Sequence, residues 1–341
     1  MIIDKIKILL INIIIFILLY VILEILSGDL IFNSKLNCSY INCNANYNYK
    51  SSLYSDHPIK INYKRDQYGF RGRFKPIDNL DIVVLGGSTT DERYLNLEDT
   101  WTENLEYLFK SKGVNIDIVN AGIDGQSTIG HVWNFENWFN KLNNLRVKYF
   151  FYYIGINENV KHDLQFEKEQ GLKQKIKLIV QKNNGITSRL YKFFFLENFV
   201  LDELNVGHKK RLPIYYEINN SNHGYNKDYE SQLISRLDNL VSLSLSFKSK
   251  PLFITQRTLR WKKEDDRIFS IDSINYYERE KFISDIIIKF CNNKNIFCID
   301  GFNNFDLNIE DTYDLIHLSP KGSLKLSKKI FYYISNLDFT N

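Results

Sequence analysis

A serine hydroxyl becomes a useful nucleophile only when a neighbouring base takes its proton. One serine in this sequence stands in a setting suited to that. Ser88 follows two glycines in the run Gly86-Gly87-Ser88-Thr89-Thr90. Far along the chain, Asp314-Leu315-Ile316-His317 places a carboxylate three residues ahead of an imidazole. Within a turn, that spacing lets Asp314 reach the ring nitrogen facing away from the serine, fixing the tautomer and stabilising the imidazolium. The attacked carbonyl would need donors for its developing negative charge. Backbone N–H groups of Ser88 and Gly125 and the side-chain amide of Asn157 can supply them, and a glycine suits close approach of a substrate to the backbone. The chemistry that follows is acyl transfer through a serine ester, with no cofactor and no metal. Two other readings of the first run fail on its residues. It is not G-x-S-x-G, because Thr90 stands where the last glycine would be, and it lacks the lysine of a phosphate-binding loop.

These groups are far apart in the chain, so regular elements must bring them together. Short apolar runs at Ile82–Leu85, Ile116–Val119, Tyr149–Ile154, Leu252–Thr255 and Ile296–Ile299 read as buried strands. Helices are expected from about Trp101, capped by Thr100 or Asp99, after Thr128, over Tyr229–Phe247 and Tyr277–Phe290, and from Pro320 to about Ile334. Strand and helix in alternation argue for a parallel sheet covered on both faces. In such sheets ligands bind beyond the carboxyl ends of the strands. Ser88, Gly125 and Asn157 each follow a strand, which predicts that they share one rim.

The order and wording of these blocks resemble the SGNH/GDSL hydrolases, over roughly residues 80–335. Gly86-Gly87-Ser88 matches the Gly-Asp-Ser turn of that family with glycine for aspartate. Gly125, with Gly122 as the alternative, matches its second block. Gly155-Ile156-Asn157-Glu158 matches Gly-x-Asn-Asp with glutamate for aspartate, and Asp314 with His317 matches Asp-x-x-His. The resemblance implies a three-layer α/β/α flavodoxin-like fold. It also implies a serine hydrolase in which Ser88, Asp314 and His317 are catalytic and Ser88, Gly125 and Asn157 form the oxyanion hole. Gly69-Phe70-Arg71-Gly72 is similar to a segment of anchored relatives that act near bacterial surface polysaccharides. The expected activity is removal of an O-acyl group from a cell-envelope carbohydrate or lipid. An O-acyltransferase with the same acyl-enzyme is one alternative, and a non-catalytic membrane-tethered binding protein is another.

The 341 residues suffice for a full core without metals or disulfides. A net charge of +4 with dispersed basic residues excludes a nucleic-acid partner as the first reading. Lys5 and Lys7 precede an apolar stretch at residues 8–26, broken by Asn12 and Glu24. At about 1.5 Å per residue that stretch is roughly as long as a bilayer core is thick. It predicts an uncleaved transmembrane anchor over 1–28 with the rest of the chain outside the cytoplasm. Residues 29–78 read as a stalk and lead-in, 79–338 as the hydrolase-like domain, and about 160–226 as an insertion. Cys38, Cys43, Cys291 and Cys298 permit two local disulfides or four buried thiols. His57, His131, His162, His208 and His223 have no partner at metal-ligand spacing and read as packing or surface residues. Asp91 and Glu92 read as a solvated helix start, and Arg257 as a residue able to meet an anionic or sugar group.

Overall fold

The computed structural model describes residues 2–27, 36, 38–158, 205–206, 213–218, 227–272 and 274–337. Most of the expected insertion at 160–226 therefore lies outside the described residues. The chain divides into two units. One comprises residues 1–42 and 168–200, and the other residues 43–167 and 201–341.

In the first unit, helix α1 (Ile2–Ser27) is 26 residues long. Its described side chains run from residue 7 to 23, and nearly all are exposed isoleucine, leucine, valine or phenylalanine. Among the described residues, no helix is long and apolar enough to cross a membrane. The transmembrane anchor expected over 8–26 is thus not among what the structure shows. Helix α2 (Cys38–Ile41) is a single turn.

The second unit is built on five parallel strands: β3 (Leu80–Gly86), β4 (Ile118–Asn120), β5 (Val147–Ile154), β8 (Lys250–Thr255) and β11 (Cys298–Ile299). Their spatial order is β4-β3-β5-β8-β11. Counted along the chain within this sheet, that is 2-1-3-4-5, the flavodoxin-like order, whose ligand crevice opens between the first and third strands. All seven residues of β3 are buried, as its unbroken apolar run requires. Successive side chains of a strand face opposite ways, and both sets are covered. Ile82, Val84, Tyr149, Phe151, Leu252 and Ile254 pack with Trp101, Leu105 and Phe109 of α4 (Trp101–Ser111) and with Leu326, Ile330 and Ile334 of α9 (Pro320–Ile334). On the other face, Phe150 meets Phe135 of α5 (Thr128–Asn137), while Tyr152 donates to or accepts from Ser244 of α6 (Lys227–Ser246) at 2.6 Å. Phe253 meets Phe290 of α7 (Tyr276–Lys294). Each fully buried side chain of this size contributes about 1.5–3 kcal/mol.

Helix starts follow their capping residues. Thr100 accepts the Glu103 N–H, Asn275 the Glu278 N–H and Ser319 the Gly322 N–H, the last with Pro320 as first helical residue. The remaining short helices are α3 (Ser88–Asp91) and α8 (Gly301–Asn304).

Two small sheets were not foreseen. β1 (Asn46–Ser51) pairs antiparallel with β2 (Ile59–Lys64) and parallel with β6 (Asn205–Val206). β7 (Tyr216–Glu217), β10 (Arg267–Ser270) and β9 (Trp261–Glu264) form the other. Residues 46–64, read from sequence as stalk, thus belong to the second unit. Ala45, Tyr49, Ile61 and Tyr63 make a small core there, while on the outside Asn62 Nδ2 donates to Asn46 Oδ1 at 3.1 Å and to Asn48 Oδ1 at 2.9 Å. Ile59, Ile61 and Tyr63 alternating with Lys60, Asn62 and Lys64 are the period of two that marks a half-buried strand. All four cysteines are disulfide-bonded, Cys291 to Cys298 joining the end of α7 to β11.

Candidate active site

β3 delivers Gly86 and Gly87 at its carboxyl end, and Ser88 opens α3. The two glycines are spatial requirements. A Cβ on Gly86 would fall 2.1 Å from Thr90 Oγ1 and 3.0 Å from the Tyr153 carbonyl oxygen. A Cβ on Gly87 would fall 2.0 Å from Asn157 Nδ2. The φ of Gly87 is −89°, outside the left-handed region, so what excludes a side chain there is the Asn157 amide.

His317 arrives from the other end of the domain on a closed turn. Thr312 bridges Leu318, and the Tyr313 N–H donates to the His317 carbonyl at 3.0 Å. Leu315 at the tip has φ of +73°. Asp314 Oδ1 accepts the N–H groups of Ile316 at 3.0 Å and His317 at 2.7 Å. Its Oδ2 lies 2.6 Å from His317 Nδ1, and His317 Nε2 lies 2.8 Å from Ser88 Oγ. The Tyr313 ring stacks on the imidazole, 5.6 Å between centroids and 13° between planes. Partial burial pushes the Asp314 carboxyl up. The hydrogen bond and charge of His317 and the two backbone donors outweigh that and hold it below the usual carboxylate range. Ionised Asp314 accepts from Nδ1–H and leaves Nε2 able to take the Ser88 proton. Burial first, then the Asp314 charge, raise the Tyr313 phenol well above its ordinary value, so it stays neutral.

The loop after β4 separates the two candidate glycines. Gly122 is packed beneath α3, where a Cβ would meet Asp91 N at 2.4 Å, and its N–H donates to Asn120 Oδ1 at 2.9 Å. Gly125 is exposed, with φ of +74° and open space where a Cβ would be. Among the described residues no acceptor takes the N–H of Gly125 or of Ser88. Gly125 is therefore the glycine with a donor to offer. Asn157 Nδ2 gives one N–H to the Gln126 carbonyl at 3.0 Å and sits against Gly87. Gln126 is itself held, its side-chain amide paired at 2.9 Å in both directions with Asn134. Buried His131 approaches the same amide oxygen at 3.2 Å, and burial draws its pKa down to about 3. Glu158 has the added length to reach the start of α5, accepting Thr128 N–H at 2.7 Å and Thr128 OH at 2.9 Å. It ties the loop bearing Asn157 to the loop bearing Gly125.

Asp91 and Glu92 depart from the solvated helix start expected of them, being 1% and 4% exposed. Asp91 Oδ1 accepts Tyr63 OH at 2.7 Å and Arg65 Nη2 at 2.7 Å. Arg65 also holds the Gly122 carbonyl, and Arg71 the Asp91 carbonyl. Glu92 accepts the Trp101 N–H at 2.7 Å and the Ser323 hydroxyl. These supports went unrecognised in the sequence because their partners lie in segments with no shared period. The tyrosine and arginine spacing at 63, 65 and 71 was the only signal.

A pocket of about 270 Å³ opens at the nucleophile, lined by Leu53, Ser88, Arg93, Tyr94, Asp124, Tyr313 and His317 among others. A larger one, about 620 Å³, lies at the opposite, amino ends of β3 and β5 around Leu80 and Val147, with Asp78, Lys148, Ser246 and Lys248 in its lining but no histidine. Among the described residues no group of histidine, cysteine, aspartate and glutamate is arranged to hold a metal ion.

No family model and no curated protein matches the chain. Among solved structures it is similar to a member of the lipolytic G-D-S-L family from Veillonella parvula, at 14% identity over 76% of this chain and 100% of that one, with a TM-score of 0.44. It is also similar to an acetylxylan esterase from Geobacillus stearothermophilus, at 15% identity over 77% of this chain and 96% of that one, with a TM-score of 0.44. A third is an α/β hydrolase from the metagenome of Lake Arreo, Spain, at 12% identity over 77% and 100%, with a TM-score of 0.44.

Proposed function

We propose that this chain is a serine esterase of the SGNH/GDSL type, working through an acyl-enzyme on an O-acyl group of a cell-envelope carbohydrate or lipid. One observation carries the reading: Ser88 Oγ, His317 and Asp314 form a continuous relay of 2.8 Å and 2.6 Å. Ser88 Oγ attacks the ester carbonyl carbon as its proton passes to Nε2. The carbonyl π pair moves onto oxygen, and the N–H groups of Ser88 and Gly125 with the Asn157 amide are the donors proposed for it. The tetrahedral centre collapses, the C–O bond to the alcohol breaks, and Nε2–H protonates the leaving oxygen. Water then attacks the acyl carbon as it gives a proton to Nε2, the bond to Ser88 Oγ breaks, and Nε2–H returns the proton to Oγ as the carboxylic acid leaves. The pocket's modest volume fits a short acyl group. An acceptor hydroxyl in place of water would make the same site an acyltransferase.

The exposed apolar side chains of α1 support a membrane anchor at residues 8–26, and Lys5 and Lys7 support an extracytoplasmic domain. The Cys291–Cys298 disulfide suits that side of the membrane.

The test is hydrolysis of nitrophenyl acetate by the full chain and by Ser88→Ala. Loss of the nucleophile is expected to lower kcat/KM by at least about 10³-fold. Equal rates would end the esterase reading. Products run on a glycan acceptor, weighed by mass spectrometry, separate hydrolysis from transfer.

A further inference from the structure

Arg257 follows β8 on the same rim as Ser88, and the proposed relay does not use it. Its neighbours in the chain are bonded to the loops of the site. Gln256 Nε2 donates to Thr89 Oγ1 at 2.9 Å, and Gln256 Oε1 accepts the Ile156 N–H at 3.1 Å. On the other side, the Leu259 N–H donates to the Leu315 carbonyl at 2.7 Å. Arg257 is thus set between the loops that carry Ser88, Asn157 and His317.

Its guanidinium lies 4.6 Å from the centre of the Trp261 ring. Trp261 is itself fixed, Nε1 donating to Glu280 Oε2 at 2.8 Å. Half-buried Arg257 nevertheless makes no hydrogen bond or ion pair with any described residue, and its Nε is buried without an acceptor. A guanidinium withdrawn from water without a counter-charge is costly, and burial lowers its pKa. Two carboxylates act on it at a distance, Glu280 and Asp306. Glu280 is saturated by Thr258 N–H at 2.9 Å, Thr258 OH at 2.5 Å, Arg260 at 3.2 Å and Trp261. Asp306 is 79% exposed on its side chain and lies 3.9 Å from Lys325. Neither occupies the fork of Arg257.

We propose that Arg257 is an anion-holding subsite for the substrate of the esterase reading. It would pair with a carboxylate or phosphate on the acylated carbohydrate while the ester lies at Ser88. The planar fork suits both oxyanions. This rests on the proposed function only for the identity of the ligand's other half.

The experiment compares kcat/KM of the full chain on three acetylated substrates: a neutral xylo-oligosaccharide, an oligouronate and a sugar phosphate. An anionic substrate is expected to be favoured over the neutral one by on the order of tenfold or more, the worth of a charge-assisted hydrogen-bonded pair. Arg257→Gln is expected to bring that ratio to near one, and Arg257→Lys to keep part of it. Which of the two anions shows the preference distinguishes carboxylate from phosphate. No preference in the parent chain, or a preference that survives Arg257→Gln, would overturn the subsite. Calorimetric binding of the same oligosaccharides to Ser88→Ala separates the two readings. Discrimination by charge in a chain that hydrolyses no ester sinks the esterase alone, and hydrolysis without discrimination sinks the subsite alone.

Discussion

At the scale of single residues, the site is set by what is missing as much as by what is present. Gly87 leaves room for the Asn157 amide beside Ser88, since a Cβ would come within 2.0 Å of Nδ2. Gly87→Ala is therefore expected to displace Asn157 while leaving the relay of Ser88, His317 and Asp314 in place. Loss of one such donor lowers kcat by about 10²–10³-fold in serine enzymes, with little change in KM. Steady-state kinetics on a small ester checks this, and an unchanged kcat would remove Asn157 from the proposed oxyanion site. The motif residues were legible in the sequence because a turn is local: Asp314 and His317 are held by bonds three residues apart. The residues that hold them were not legible. Arg65 meets Asp91 across 26 positions, and no local pattern marks such a pair.

At the scale of elements, Glu92 is the joint. It ends α3 in the left-handed conformation, with φ of +46°. Its carboxyl takes the first N–H of α4 and the Ser323 hydroxyl of α9. Burial pushes its pKa up to about 8, against the lowering effects of Ser323, Trp101 and Arg71. The sign follows from the extra proton of the folded state. Below the ordinary value of 4.5 both states are protonated and nothing is lost. As pH rises from there to about 8, the unfolded chain releases a proton that the fold retains, so stability falls. Glu92→Gln keeps the shape without the charge. It is expected to melt higher than the parent at pH 9, by an amount worth up to a few kcal/mol, with the difference shrinking at pH 5. Melting curves at the two pH values decide it, and a pH-independent difference would mean that Glu92 does not carry the proton.

At the scale of the whole molecule, the proposed arrangement is a sheet whose rim does chemistry and a separate apolar helix that tethers it. The exposed side chains of α1 have no purpose in water. The full chain is expected to stay in the membrane fraction through high-salt and alkaline washes, and a chain lacking residues 1–27 to leave it. Release of the full chain by salt alone would contradict the anchor.

The sequence by itself determined the strands of the central sheet, their order of appearance, the Thr100 cap of α4 and the residues of the relay. Those properties are written in short-range terms: apolar runs, capping side chains, and a carboxylate near an imidazole. Only the tertiary structure decided that Ser88 and His317 meet, 229 positions apart. The same holds for the choice of Gly125 over Gly122 as the glycine with a free donor. It holds too for the asparagine-rich lead-in, which forms a hairpin that buries Tyr63 and Arg65 against Asp91. Each depends on the spatial order of strands and on which groups already have partners, and neither is a property of any window of sequence.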